Sequence, residues 1–466
     1  MYKKVVYLLF ASAVWTVSFN ASAAVPDATV TGPIAADPQG HPSRNSIYSS
    51  SAINLEAQAY IEEEYFIEGT ANRYTTPEME TGEIIDSGHP YRTRIIVRRP
   101  TDHSRFSGIV IVEWINVTGG PDKDIDWWLS GEHFMRRGHA YVVVSAQQMG
   151  IDTMRQWSPV RYASLDTTDD GNIKDDELSY DIFAAAAKTI QRSNEQSPAV
   201  AIDILDGLRA EQLIATGHSQ SASRLATYIN HIHPLEPIFD GFMVHGGGFR
   251  LRDEQPVKLF KIMSETDMQR RAADPQPDTD NFRQWEVAGS SHVDVDFEVE
   301  FTKVRLQREG LPIEGAAPRQ HECELPTLSR VPFRNVLNAA YDHLVTWIAE
   351  DLPPPVAPRL KLRKAIPTVE FERDKYGNVQ GGIRLAEHVV ATARNTGMNT
   401  GNTLFCFLYG SHEPFDQDTL DALYPSHAQY LQAVTDVVKA NLEAGYILPR
   451  AAERTIRKAE ASSIGK

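Results

Sequence analysis

The chain has 466 residues, of which 42% are apolar and 23% charged, and it carries a formal net charge of −16. That length and balance suit one large α/β domain with insertions, or two domains, built around a real hydrophobic core. The negative charge speaks against nucleic acid and anionic membranes as partners and leaves a small-molecule substrate open.

Lys3 and Lys4 precede a short apolar run from Val5 to Val17, and Ala21-Ser22-Ala23 follows. This is the pattern of a signal peptide over residues 1–23, so the mature chain is expected to be periplasmic or secreted. No later stretch is apolar for long enough to span a bilayer, so no membrane anchor is expected after cleavage. Residues 24–90 read as an N-terminal lead-in, rich in Ala, Pro, Ser and Gly over 24–50.

From there strands and helices alternate. Segments 92–100, 107–115 and 140–147 read as strands, 126–138 as a helix ending at Gly138, and 179–193 as a helix capped by Ser179. The stretch "LIATGHSQSASRLATYI" (213–229) reads as strand, turn, helix, and 239–247, 257–265 and 281–289 as three further strands. This alternation predicts an α/β fold with a mostly parallel sheet and helices on both faces, spanning residues 24–315. Residues 316–466 differ in pattern. A helix over 333–355 is stopped by prolines, a hairpin over 370–385 centres on Gly377, and the helical end breaks near Gly445 and Pro449. This part belongs to the same domain or forms a lid.

The turn "GHSQS" at 217–221 places Ser219 between a strand and a helix. Such a turn lifts a serine hydroxyl above the carboxyl ends of the strands, and the helix N-terminus behind it favours negative charge. A serine needs a base, a group to orient the base, and donors for the oxyanion. Downstream, "SETD" puts Glu265 and Asp267 at a strand end, and "AGSSHVD" puts His292 in the loop after the next strand. The order serine, acid, histidine is the one an α/β-hydrolase requires. Asp267 and Glu265 both remain open as the acid. Asp294 and Asp296 are read as shaping the loop.

Gln220 follows the nucleophile and would lend its backbone N–H to the oxyanion. The second donor is expected from the 114–117 loop after the 107–115 strand, ahead of Gly119 and Gly120, with Ile115 and Asn116 as the leading candidates. Trp114, Trp127 and Trp128 either line a substrate pocket or pack the core. The "VHGGG" run (244–248) copies an oxyanion motif but lies after the nucleophile, so it reads as a glycine-rich turn near the site.

The pieces "VEWINVTGGPD", "LSYDIF", "GHSQSASRL", "WEVAGSSHVD", "WIAEDLPPPVAPR", "YGNVQGGIRL" and "EPFDQDTLDALYPS" run across most of the mature chain. On them the sequence resembles the α/β-hydrolase superfamily. More narrowly, it resembles an exported bacterial group described only as alpha/beta hydrolase domain-containing proteins. The resemblance implies a serine esterase mechanism carried by Ser219, Asp267 or Glu265, and His292, acting on a small-molecule ester and needing no cofactor for catalysis. Ser221 departs from the glycine of the general elbow but matches the narrower group. An acyltransferase or an amidase would use the same residues, and a binding protein on a hydrolase scaffold is the alternative without turnover.

Two further features are separate from that site. "DTTDDGNIKDDE" (166–177) partly fits a calcium loop, with Asp166, Asp170 and Glu177 as ligands of a structural ion and Thr168 as a weaker oxygen donor. Cys323 and Cys406 are the two cysteines of the chain, and in an exported protein they are expected to pair.

Overall fold

The computed structural model describes residues 25–194, 202–403 and 405–466. The signal peptide expected over 1–23 lies outside them. In chain order the elements are β1 (Thr29–Thr31), β2 (Tyr60–Tyr74), β3 (Ile84–Pro100), β4 (Ile109–Trp114), α1 (Ile125–Arg137), β5 (Ala140–Val144), α2 (Gln148–Trp157), α3 (Pro159–Tyr162) and α4 (Ser179–Asn194). Then come β6 (Gln212–His218), α5 (Gln220–Thr227), β7 (Gly241–His245), β8 (Lys258–Ser264), α6 (Glu265–Arg271), β9 (Phe282–Val287), α7 (Val295–Arg308) and α8 (Phe333–Glu350). The remainder holds β10 (Leu362–Lys364), β11 (Glu370–Phe371), α9 (Ala386–Val389), β12 (Ala393–Thr396), α10 (Cys406–Tyr409), β13 (Ser411–Pro414), α11 (Gln417–Leu423), α12 (His427–Glu443) and α13 (Pro449–Ala461).

Nine strands form one sheet in the order β1-β2-β3-β5-β4-β6-β7-β8-β9. The six strands from β5 to β9 run parallel, and β1 to β3 add an antiparallel edge. The middle strands are apolar on both faces, as strands covered on both sides must be. In β4, Ile109 and Ile111 face one core with α1, α7 and α8, while Val110, Val112 and Trp114 face the other with α4 and α5. That is the period-2 alternation of a pleated strand.

The N-terminal region is not a lead-in. β1 and β2 belong to the sheet, and β2 pairs with β3 along nearly its whole length. Their charged residues hid them, because several of those charges are buried. Glu64 in β2 meets Arg94 of β3 (2.8 Å) and Arg161 of α3, all three fully buried. Arg94 also pairs with Asp122 (3.0 Å).

Residues 316–466 join the main core. Val336, Leu337 and Tyr341 of α8 and Val434 and Val438 of α12 share one apolar cluster with β4 and α1. α8 ends at Asp351 (φ 55°), just before the run of prolines. The turn expected near Gly377 is closed by Asp374, whose carboxylate accepts from the N–H groups of Tyr376 (2.8 Å) and Asn378 (2.9 Å). Among the described residues no helix is long and apolar enough to cross a membrane.

Candidate active site

Buried β6 ends at His218, and α5 begins at Gln220. Between them Ser219 has φ 61° and ψ −115°, a conformation that side chains with a Cβ rarely adopt. Holding it costs of order 1–3 kcal/mol, so the surroundings must over-determine it. The Ser219 N–H donates to the His245 carbonyl (3.0 Å), and its own carbonyl accepts from the Ser223 N–H (3.1 Å). The side-chain amide of Asn116 donates to the His218 carbonyl (2.9 Å). Ser221 occupies the place usually held by glycine. Its hydroxyl donates to the His218 carbonyl (2.9 Å) and accepts from the His218 N–H (3.1 Å), so it ties the strand end to the helix start.

The Ser219 Oγ lies 2.8 Å from Nε2 of His292, and Nδ1 of His292 lies 2.6 Å from Oδ1 of Asp267. α6 follows β8 without a loop. Ser264 caps it, and Asp267 completes a capping box from the third helical position. Its Oδ2 accepts from the Ser264 N–H (2.8 Å) and hydroxyl (2.6 Å), which leaves Oδ1 for His292. Burial pushes the Asp267 carboxyl up, but His292 and the Ser264 donors outweigh it and hold it below the usual carboxylate range. Glu265, the other candidate acid, is not brought to the histidine. It is fully buried, accepts from the Gly289 N–H (3.1 Å) and pairs with Arg373 (2.6 Å).

His218 packs between His292 and His245, with ring centroids 4.5 and 4.7 Å away. Burial first, then its two histidine neighbours, hold its pKa far below the ordinary value, so it stays neutral beside the His292 imidazole. The "VHGGG" turn closes around this group. A Cβ on Gly246 (φ 66°) would sit 2.5 Å from Nε2 of His218, and one on Gly247 would sit 2.6 Å from the Ser219 carbonyl oxygen. These glycines serve close approach.

The Gln220 N–H, first in its helix, has no partner among the described residues, as an oxyanion donor requires. The other two candidates fail as backbone donors. The Ile115 N–H donates to the Val144 carbonyl (3.3 Å) and the Asn116 N–H to the Lys123 carbonyl (3.1 Å). In the same loop Thr118 and Gly120 are also engaged, which leaves the N–H groups of Val117 and Gly119. The bridge between Asn116 and Lys123, invisible in sequence, decides this.

A cavity of about 280 Å³ opens on Ser219 and His292, walled by Ile125, Phe297, Phe301, Phe405, Leu408 and Tyr409. It also exposes Lys123, Arg319 and Glu298. Arg319 grips Glu298 with two nitrogens (2.8 and 2.9 Å). Four of these apolar residues come from α7 and α10, which carry no motif, while Ile125 opens α1 and Phe405 precedes α10. The tryptophans are core residues instead. Trp114 stacks on Phe183, Trp127 packs on Tyr141, and Trp128 sits behind Phe297 and Phe301. Asp294 caps α7 through the Phe297 N–H (2.9 Å), and Asp296 pairs with Arg334.

The calcium loop does not gather its ligands. Asp166 spends its carboxylate on the Thr168 and Asp170 N–H groups, and Glu177 turns away to Arg73 (2.5 Å). Asp170 contributes only its backbone N–H to these contacts, and no group of three or more metal-binding side chains occurs among the described residues. The local hydrogen bonds of an Asx turn satisfy the same oxygen-rich sequence. Cys323 and Cys406 form a disulfide that ties the 316–330 segment to α10 in the cavity wall.

A serine hydroxyl bonded to an imidazole whose far nitrogen meets a carboxylate can lose its proton as it attacks a carbonyl. Solved structures similar to this chain include a glucuronoyl esterase from Solibacter usitatus, at 9% identity, covering 52% of this chain and 71% of that one with a TM-score of 0.25. An a/b serine hydrolase without lid from Xanthomonas campestris is 13% identical over 54% of this chain and 97% of its own, with a TM-score of 0.27. An S-formylglutathione hydrolase from Staphylococcus aureus is 8% identical over 47% and 90%, with a TM-score of 0.25. No curated protein matches the sequence. The sequence profile of the family described as "Alpha/beta hydrolase domain" matches residues 30–457, most of the chain, and the protein therefore belongs to the α/β-hydrolase family.

Proposed function

We propose that this protein is an exported serine hydrolase that cleaves carboxylic esters through an acyl-enzyme. Ser219 attacks the ester carbonyl while His292 takes its proton, and Asp267 holds the imidazole and balances its charge. The N–H groups of Gln220 and of Val117 or Gly119 receive the oxyanion. His292 then returns the proton to the leaving alcohol, and water, activated by the same imidazole, releases the acid. The observation that carries this reading is the unbroken contact chain from Ser219 through His292 to Asp267, with the serine in a strained turn. The test is a panel of 4-nitrophenyl esters. The reading expects turnover by wild type and a loss of about 10⁴-fold or more in kcat for Ser219→Ala and His292→Ala. Turnover retained by Ser219→Ala would overturn it.

A further inference from the structure

Beyond Ser219 the cavity continues into a second lobe of about 310 Å³, lined by Gln220, Gly247, Met263, Arg270, Arg271 and Phe407. Thr118, His292, Phe405 and Leu408 wall both lobes, so the nucleophile stands at their junction. The two arginines come from the last turn of α6, the helix whose first turn carries Asp267. The Arg270 guanidinium lies 4.2 Å over the Phe407 ring, and that of Arg271 lies 5.8 Å from the Phe249 ring centre.

Neither arginine has a carboxylate within ion-pair distance among the described residues. This contrasts with Arg319 in the first lobe, which Glu298 neutralises. Behind the second lobe, buried Lys261 donates to the carbonyls of Gly248 (3.4 Å) and Phe249 (2.9 Å); burial pushes its ammonium down to about 8, and Asp274 and Asp267 act on it at longer range. In a chain of net charge −16, this wall sets two arginines against one carboxylate, Asp267, which is engaged by His292 and Ser264. A guanidinium packed on an aromatic face keeps its N–H edge free for an anion. Arg270 is exposed and Arg271 half-buried at the rim of this lobe, so an anion there would replace water on their free edges.

We propose that the ester cleaved here carries an anionic group, a carboxylate in the simplest case, which Arg270 and Arg271 receive while the carbonyl sits at Ser219. This inference rests on the ester-hydrolase reading above. The anion belongs either to the acyl part or to the alcohol part, and two substrate pairs separate these. The first pair is 4-nitrophenyl hydrogen glutarate against 4-nitrophenyl pentanoate. The second is 4-acetoxybenzoate against 4-acetoxybenzamide. In each the readout is the ratio of kcat/KM, anionic over neutral, which is insensitive to a partial loss of folded enzyme.

Wild type is expected to favour the anionic member of one pair by about tenfold or more at low salt, and less in about 0.5 M NaCl. The double substitution Arg270→Gln/Arg271→Gln is expected to bring that ratio close to one. Ratios near one for wild type in both pairs, or a preference that survives the double substitution, would overturn the inference and leave the hydrolase reading standing. Hydrolysis of none of the four esters would overturn both.

Discussion

At the residue scale, the contacts of Ser219, His292 and Asp267 rest on small neighbours whose roles differ. Ser221 is more than a tolerated replacement for glycine, because its hydroxyl bonds both backbone groups of His218. Ser221→Ala is expected to lower stability by about 1 kcal/mol, read as a urea midpoint, since the His218 N–H loses its hydroxyl acceptor while the His218 carbonyl keeps only the Asn116 amide. A midpoint equal to wild type would show the hydroxyl to be idle. Gly246→Ala places a methyl against His218 at a positive φ and is expected to lower kcat more than it raises KM, because it displaces the imidazole stack behind His292. The pairing of Ser219 with His292 was legible from chain order, since each follows a recognisable strand. The choice between Asp267 and Glu265 was not. It depends on the capping box of a helix that starts without a loop, and on Arg373, more than a hundred residues away, which holds Glu265 elsewhere.

At the element scale, α7 and α10 build the cavity, and both were illegible because their apolar residues carry no motif. Asp294 starts α7, and its carboxyl is pushed up to about 7, by burial first and by Asp296 second. An acid whose folded value is raised binds its proton more tightly when folded. Its contribution is therefore greatest below the unfolded value near 4 and is lost as pH rises from about 4 to about 7. Asn caps a helix as well as Asp does, so Asp294→Asn keeps the cap and removes the titration. The variant is expected to match wild type near pH 4 and to exceed it at pH 8 by of order 1–3 kcal/mol in urea unfolding. A constant difference between the two pH values would contradict this. α10 is fastened by the disulfide across a separation of 83 residues. Replacing both cysteines by serine is expected to cost about 2–5 kcal/mol of stability. It is also expected to raise KM, because Leu408 and Tyr409 wall the cavity.

At the scale of the whole molecule, the parallel half of the sheet was legible because its strands are apolar on both faces and bounded by turns. Of the antiparallel edge only the 92–100 part of β3 was; β1 and β2 were not, because β2 carries acidic residues whose partners lie on β3 and α3. Buried charge inverts the usual signal of a strand, and only the tertiary pairing of Glu64 with Arg94 and Arg161 explains it. Glu64→Ala leaves two buried arginines short of a partner and is expected to destabilise the protein by about 3–5 kcal/mol. The residues that position the candidate site thus range from β4 to α10, and its chemistry hangs on one hydroxyl. Fluorophosphonate labelling followed by peptide mass mapping tests that most directly. The adduct is expected on the peptide containing Ser219, with labelling lost in Ser219→Ala and slowed in Asp267→Asn. Equal labelling of wild type and Ser219→Ala, or an adduct on another residue, would contradict the account.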